Sequence, residues 1–390
     1  MERYFAYLNS TNVLESITRS IIDGIFAVAE EQECPYLIEI RSKFEPDNMC
    51  AGALGMFWHG EQKDQLRASG MPTVNLSNAA GPISEMGNVL SDDLAVGRMA
   101  GRHLLSRGYR QFLGLGVSGV QYGTERLQGF TEELARHNTT CQILTIDPKM
   151  SDRGWSPSAY QEHIWEQVRD SIRDLPMDTG MFAVSDWLAW PILRSVERDF
   201  PDRLSTLGML GVDNLHGGRF DPRKAMRLSS IQPGFHAAGR KSLEILMAHV
   251  LDGAPLAGVV HRCPPEGIAE RASTAGPACA DPLLAHMIRT IWEGLRKQRT
   301  IVISDLVRQY GMSASTFEKK FRARLNKSAR ELIAEMRVDY AKELIRANQH
   351  PITEIGYLCG YANPSAFSNA FKNQVGLSPR DWKERDRSGS

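Results

Sequence analysis

From residue 3 to about 262 the chain alternates short apolar runs with longer stretches that are apolar on one side only. The short runs at 4–8, 36–40, 53–57, 73–76, 111–115, 141–146, 181–184, 207–212 and 227–231 predict strands. The amphipathic stretches at 14–31, 93–107, 125–136, 158–174, 187–199 and 235–251 predict helices. Alternation of this kind gives parallel sheets with helices on both faces, and the length calls for two α/β lobes rather than one sheet. One connection departs from the pattern. Between 36–40 and Ala53 the chain is short for a crossover helix and carries Pro46. The first lobe is expected to be trimmed there, and no ligand contact is assigned to 41–50.

The pattern changes after residue 282. Phe317 and Phe367 lie fifty positions apart, as do Phe321 and Phe371, and Ser328 and Ser378. Three coincident spacings make an internal repeat. In each copy a short amphipathic helix runs into a glycine, Gly311 or Gly360, which can take the positive φ of a sharp turn. Ser313 and Asn363 are then N-caps, with Pro364 suited to the first helical position. The paired phenylalanines at i and i+4 share one face. The other face carries Ser315, Thr316, Lys319, Lys320 and Arg322 in the first copy, and Ser365, Ser368, Asn369 and Lys372 in the second. Two helix-turn-helix units follow, at about 302–325 and 352–375. Short hydroxyl, amide and cationic side chains suit a major groove. Between the units, a helix opening at Ser328 and running to about Ala347 would be about 28 Å long at 1.5 Å per residue. That roughly matches the ~34 Å between successive major-groove faces, so a rigid spacer is expected.

Residues 284 to 387 resemble the DNA-binding domain of AraC-family transcription regulators. The resemblance includes Arg337 and Ala341 of the spacer helix and the closing Gly376-Leu377-Ser378-Pro379-Arg380-Asp381-Trp382. It implies that Lys319, Lys320, Arg322 and Lys372 hold phosphates, and that Ser315, Thr316, Ser365 and Asn369 read bases. The readers are shorter than the Arg and Gln common in this fold, which shifts weight to DNA shape.

Four pieces of the body also resemble a known family: Asp92-Asp93-Leu94-Ala95-Val96-Gly97, Glu125-Arg126-Leu127-Gln128-Gly129-Phe130, Ala183-Val184-Ser185-Asp186 and Gly211-Val212-Asp213-Asn214. In this order, and closed by Arg271-Ala272-Ser273-Thr274, they are similar to the effector domain of LacI/GalR-type repressors, itself similar to periplasmic sugar-binding proteins. The implied fold is an α/β two-lobed periplasmic-binding-protein-like domain with parallel sheets at 1–274, a linker at 275–282, and an all-α domain at 283–390. LacI-type repressors carry their DNA-binding helices before this domain, whereas here the chain opens on its first strand. A LacI-like sensor ahead of an AraC-like reader resembles the XylR type of regulator.

In parallel lobes ligands bind at the carboxyl ends of strands. Asp186 and Asp213 each follow an apolar run and can accept sugar hydroxyls, and Arg126 can donate to sugar oxygens. Asp92 and Asn214 complete the polar set. Trp187, with Trp190 on the same helix, offers a stacking surface, and Asn9 and Ser10 follow the first strand. The simpler reading of each Asp is a helix N-cap, and of the tryptophans core packing.

Net charge is zero overall, but from Asp281 onward there are 19 Lys and Arg against 12 Asp and Glu. A basic module on an acidic body confines nucleic-acid contact to the former. The six cysteines are scattered, with no C-x-x-C pair. This suggests reduced thiols in cytoplasm and removes DNA-repair methyltransferases, which need clustered cysteines. No signal-peptide layout and no membrane-length apolar run occur. No metal spacing or cofactor motif is found, and the absence of G-x-G-x-x-G after a strand, a P-loop or G-x-S-x-G argues against an enzyme. Prolines and glycines from Cys263 to Pro282 predict an exposed, semi-stiff connection that is neither helix nor strand. The expected partners are double-stranded DNA in direct repeats, a small-molecule effector (most simply a sugar, such as the pentose xylose), a second copy in a homodimer, and RNA polymerase. The alternative is an AraC-type regulator whose N-terminal domain only dimerises or takes a non-sugar effector.

Overall fold

The computed structural model describes residues 3–8, 15–43, 48–57, 60–148, 157–215, 228–275, 277–279, 281–298, 301–347 and 350–388. In the first lobe, β1 (Tyr4–Leu8), α1 (Glu15–Glu31), β2 (Leu37–Arg41), β3 (Cys50–Gly55), α2 (Gly60–Ser69), β4 (Thr73–Asn75) and β5 (Gly87–Ser91) follow one another. The chain then crosses over. α3 (Asp93–Ser106), β6 (Gln111–Val117), α4 (Gln121–Arg136), β7 (Gln142–Ile146), α5 (Pro157–Asp174), β8 (Thr179–Ala183), α6 (Asp186–Asp199), β9 (Gly208–Val212) and β10 (Ser229–Gln232) build the second. Two further crossings follow: α7 (Phe235–Asp252) returns to the first lobe with β11 (Val260–Cys263), and β12 (Gly267–Ala269) lies back in the second.

The sheet orders are β11-β5-β4-β3-β1-β2 and β12-β10-β9-β8-β6-β7. Every pairing is parallel except that of β12 with β10. The same device covers one face of each sheet. Gly24 of α1 and Gly239 of α7 let those backbones touch, since an added Cβ would lie 2.2 Å from the His236 carbonyl or 2.1 Å from that of Ile21. Gly97 of α3 and Gly129 of α4 do the same in the second lobe, at 1.9 and 2.1 Å.

The two-lobed reading holds. No helix joins β2 to β3 among the described residues, as the shortened connection implied. Four elements of the two lobes escaped the pattern: α2, β5, β11 and β12. α2 is polar almost throughout, and β5 buries Asn88, whose side-chain amide is tied to Ile83 and Met86. The exposed connection at 263–282 is corrected. Cys263 closes β11, and β12 follows at 267–269. Ala272, Ser273, Thr274 and Cys279 are buried. Pro264 and Pro265 sit between these short edge strands, where a missing N–H costs nothing, and Pro282 opens α8, where it is equally tolerated.

The C-terminal domain is all helix: α8 (Pro282–Arg296), α9 (Ile303–Gln309), α10 (Ala314–Leu325), α11 (Ala329–Ala347), α12 (Ile352–Leu358), α13 (Pro364–Val375) and α14 (Pro379–Ser388). Phe317, Phe321, Phe367 and Phe371 are its buried pegs, and Ala272 and Cys279 of the preceding segment join the same core. No described helix is long and apolar enough to cross a membrane.

Candidate effector cleft and nucleic-acid interface

Arg126 is the centre of the second lobe's polar cluster. It leaves α4 on the second turn and is buried. Its Nε donates to Asp93 Oδ1 (2.7 Å), and its Nη1 donates to the Val184 carbonyl (2.6 Å) and Asp213 Oδ1 (3.2 Å). The Tyr122 ring lies under the guanidinium at 4.8 Å. Burial works against the charge, but Asp93 and then Asp213 outweigh it and raise the pKa of Arg126. Burial pushes the Asp213 carboxyl up, with Arg126 opposing. Asp93 is further held by Asn78 (2.8 Å) and Ser91 (2.9 Å).

Asp213 and Asn214 close β9 with φ of 96° and 47°. Non-glycine residues in the left-handed region carry strain, and strained backbone collects at functional sites. Both residues border a cavity of about 90 Å³, with Ser16 and Ser20 of α1, Gln232 and Glu266. The cavity joins a helix of one lobe to strand ends of the other. Asp213 and Glu266 bring carboxyls to it, while Arg126 is already paired. That suits a ligand offering hydroxyl donors over one carrying a phosphate.

The other expected effector residues are distributed. Asp92 is half-buried and caps α3, its Oδ1 accepting from Ala95 N at 2.9 Å. Trp187 is half-buried, edge-on to Tyr160 at 6.5 Å, and packs on the first lobe's core. Asp186 is corrected. Its oxygens accept from Ser230 Oγ (2.8 and 2.9 Å) and Leu215 N (2.8 Å), and it is only 3% exposed. Burial first, then the neighbouring Asp213 carboxylate, pushes its pKa up to about 8. It fastens β10 and the loop after β9, and does not face the cleft. Asn9 and Ser10 lie outside the described residues. Ser16, Gln232 and Glu266 were missed, since nothing in their local sequence marks them.

In the reader, Gly311 and Gly360 take φ of 60° and 79°. Ser313 Oγ accepts from Thr316 N (3.1 Å), and Asn363 Oδ1 from Ala366 N (2.8 Å). The ring pairs Phe317–Phe321 and Phe367–Phe371 stand 4.8 and 5.7 Å apart. This phase leaves Ser315, Thr316, Lys319 and Arg322 exposed on α10, and Ser365, Asn369 and Lys372 exposed on α13, with Ser368 half-buried. Glu318 accepts from Arg322 Nε at 3.1 Å. Lys320 is corrected: one position from Phe321, it turns inward and pairs with Asp281, the cap of α8. The spacer α11 opens on a capping box, with Ser328 N donating to Glu331 (2.6 Å) and Glu331 N to Ser328 Oγ (3.2 Å).

Residues 102–274 match the family described as periplasmic binding protein-like domain, and residues 306–385 match a helix-turn-helix domain. The xylose operon regulatory protein of Haemophilus influenzae is 22% identical over 98% of this chain and 99% of its own length. That of Escherichia coli K12 is 24% identical over 96% and 95%. A solved xylose-binding transcription activator covers 98% of both chains at 22% identity with a TM-score of 0.66. A cellobiose complex of a transcriptional regulator covers 70% of this chain and 85% of its own at 18% identity, with a TM-score of 0.53.

Proposed function

We propose, for a chain that joins a periplasmic binding protein-like domain to a helix-turn-helix domain in the manner of XylR-type regulators, that it is a DNA-binding transcription regulator of a carbohydrate operon whose DNA-bound state is set by a sugar. The observation that carries the sensor half is the strained Asp213–Asn214 strand end turned to the cavity between the lobes beside Arg126. Asp213 and Asn214 hold sugar hydroxyls, Arg126 fixes Asp213, and Trp187 supplies the apolar wall. The curated relatives named above, similar along the whole chain, are named for a xylose operon. A pentose, xylose first, is therefore the effector to try.

The two heads, with equivalent exposed polar faces, sit on direct repeats one groove turn apart. Lys319, Arg322 and Lys372 hold phosphates, and Ser315, Thr316, Ser365 and Asn369 face the bases. A ligand shifts this equilibrium only by its differential affinity for the two sensor states. The protein works in the cytoplasm as a homodimer, with RNA polymerase as a further partner. Edge strand β2, with Leu37 and Ile40 51% and 52% exposed on its two faces, offers a second copy an open strand edge.

The test is thermal melting of the full chain against pentoses, hexoses and their phosphates. Ligand at a hundred times its dissociation constant adds about 2.7 kcal/mol, several degrees for a domain of this size. One responding neutral sugar supports the reading. A response to phosphorylated sugars alone, or to none, rejects it.

A further inference from the structure

The sensor and reader meet at a half-buried ionic junction. Arg107 is the C-cap of α3, the helix whose first residue, Asp93, binds Arg126. Its guanidinium pairs with Glu270 of the segment closing the sensor, and reaches Asp339 of the spacer α11 at 3.4 Å. Its carbonyl accepts from Ala278 N of the connection at 2.6 Å. The side chain is 16% exposed, so it pairs mostly out of water. From the reader's side, Arg296 of α8 donates to the Glu270 carbonyl at 2.8 Å. One arginine therefore holds both the connection and the helix between the two heads.

A polar path runs to this junction from the cleft. Arg271 donates to Asn214 Oδ1 at 2.5 Å. The backbone of Arg271 exchanges two 2.8 Å hydrogen bonds with Ser229 Oγ. Thr274 Oγ1 sits 2.7 Å from that hydroxyl and 2.9 Å from His103 Nε2. The other nitrogen of His103 lies 3.8 Å from Glu270. Apart from this last step each link is a hydrogen bond or ion pair, and the inner members are buried. Buried polar networks adopt discrete arrangements, because a half-satisfied one is costly.

We propose that the Arg107–Asp339 pair, seated on Glu270, is the clamp through which effector occupancy at Asn214 sets the position of the spacer helix and hence of both heads. The proposal rests on the sugar reading above. Arg107 and Asp339 are positioning residues: neither touches effector nor DNA.

The test uses the full chain and a DNA site selected from a random pool with the wild-type protein. DNA affinity is measured with and without saturating D-xylose, and the xylose-induced melting shift is measured in parallel. Coupling of this kind is about five- to 150-fold. Asp339→Asn is expected to bring the wild-type ratio of affinities below about twofold while keeping the wild-type melting shift. Asp339→Glu should restore the ratio. Lys342→Ala, which removes only Asp339's neighbour on its own helix, should leave it intact. An Asp339→Asn protein with the wild-type ratio, or one that also loses the melting shift, overturns the clamp. A wild-type protein that melts unchanged with xylose and every other sugar removes the sugar reading instead, and the clamp with it.

Discussion

Replacing Arg126 by methionine leaves two carboxylates facing each other's space without their cation. Asp93 is fully buried and Asp213 keeps a side-chain exposure of 9%. Breaking a buried pair by removing one partner costs about 3–5 kcal/mol. The Val184 carbonyl, which accepts from Arg126 at 2.6 Å, also loses that partner. At about 2–4 °C per kcal/mol for a domain of this size, the sensor should melt roughly 6–20 °C lower at pH 7.5. Methionine fills much of the volume, so the loss is electrostatic and must depend on pH. Without the guanidinium nothing opposes the burial that already pushes the Asp213 carboxyl upward, and the folded state then binds more protons than the unfolded one. Stability of the variant therefore falls as pH rises, and the gap to wild type is smallest near pH 5. Adding Asp93→Asn and Asp213→Asn should recover most of the loss. Calorimetry at pH 5, 6.5 and 8 checks this, following the sensor's transition alone because the chain need not unfold in one step. A gap that is constant with pH, or a triple variant no more stable than the single, would refute the charge argument.

Asp186, pushed up to about 8 by burial, keeps its proton in the folded state well above the ordinary carboxylate pKa of about 4. The stability that Asp186 contributes is therefore lost as pH climbs from about 4 to 8, and Asp186→Asn should gain on wild type over that window in melts from pH 5 to 9. His103 has the opposite sign. Burial and then Arg107 lower it to about 3, so the unfolded chain takes up the proton first, near pH 6.5. Its contribution is whole above that pH and is lost as pH falls toward 3, and His103→Gln should flatten that acid limb in urea titrations. In the reader, Lys372→Ala should reduce the slope of log affinity against log salt by about 0.9. Lys320→Ala, whose ammonium is held by Asp281, should change that slope by much less, and equal slopes for the two would reject the inward placement.

What the sequence made legible was periodic. The fifty-residue spacing of Phe317 and Phe367 survives folding because each ring fills the same socket in its own unit, and the glycine turn and cap are local. Lys320 was not legible, since a lysine beside the phenylalanine stripe points either way, and its partner Asp281 lies 39 positions back. Asp186 failed for the same reason. An aspartate after an apolar run marks a strand end, but whether it faces ligand or protein was decided by Ser230, 44 residues on, and by the Leu215 amide. Gly211 enforces the outcome: a Cβ there would lie 2.0 Å from Asp186 Oδ1.

The misread connection has the largest consequence for function. Taken as exposed and semi-stiff, residues 263–282 would let the reader swing independently of the sensor. Instead β11 and β12 put this stretch into both sheets, and Ala272 and Cys279 put it into the reader's core. A segment shared by both lobes and by the reader cannot stay still when the lobes move, because close-packed interiors transmit displacement. The geometry thus supplies a mechanical reason for a sensor with its reader at the C-terminal end. The last strands of the sensor cross between the lobes, and only residues 270–281 separate them from α8. Any movement of the lobes would then share one piece of backbone with the placement of the heads, and the proposed Arg107 clamp sits where the two meet.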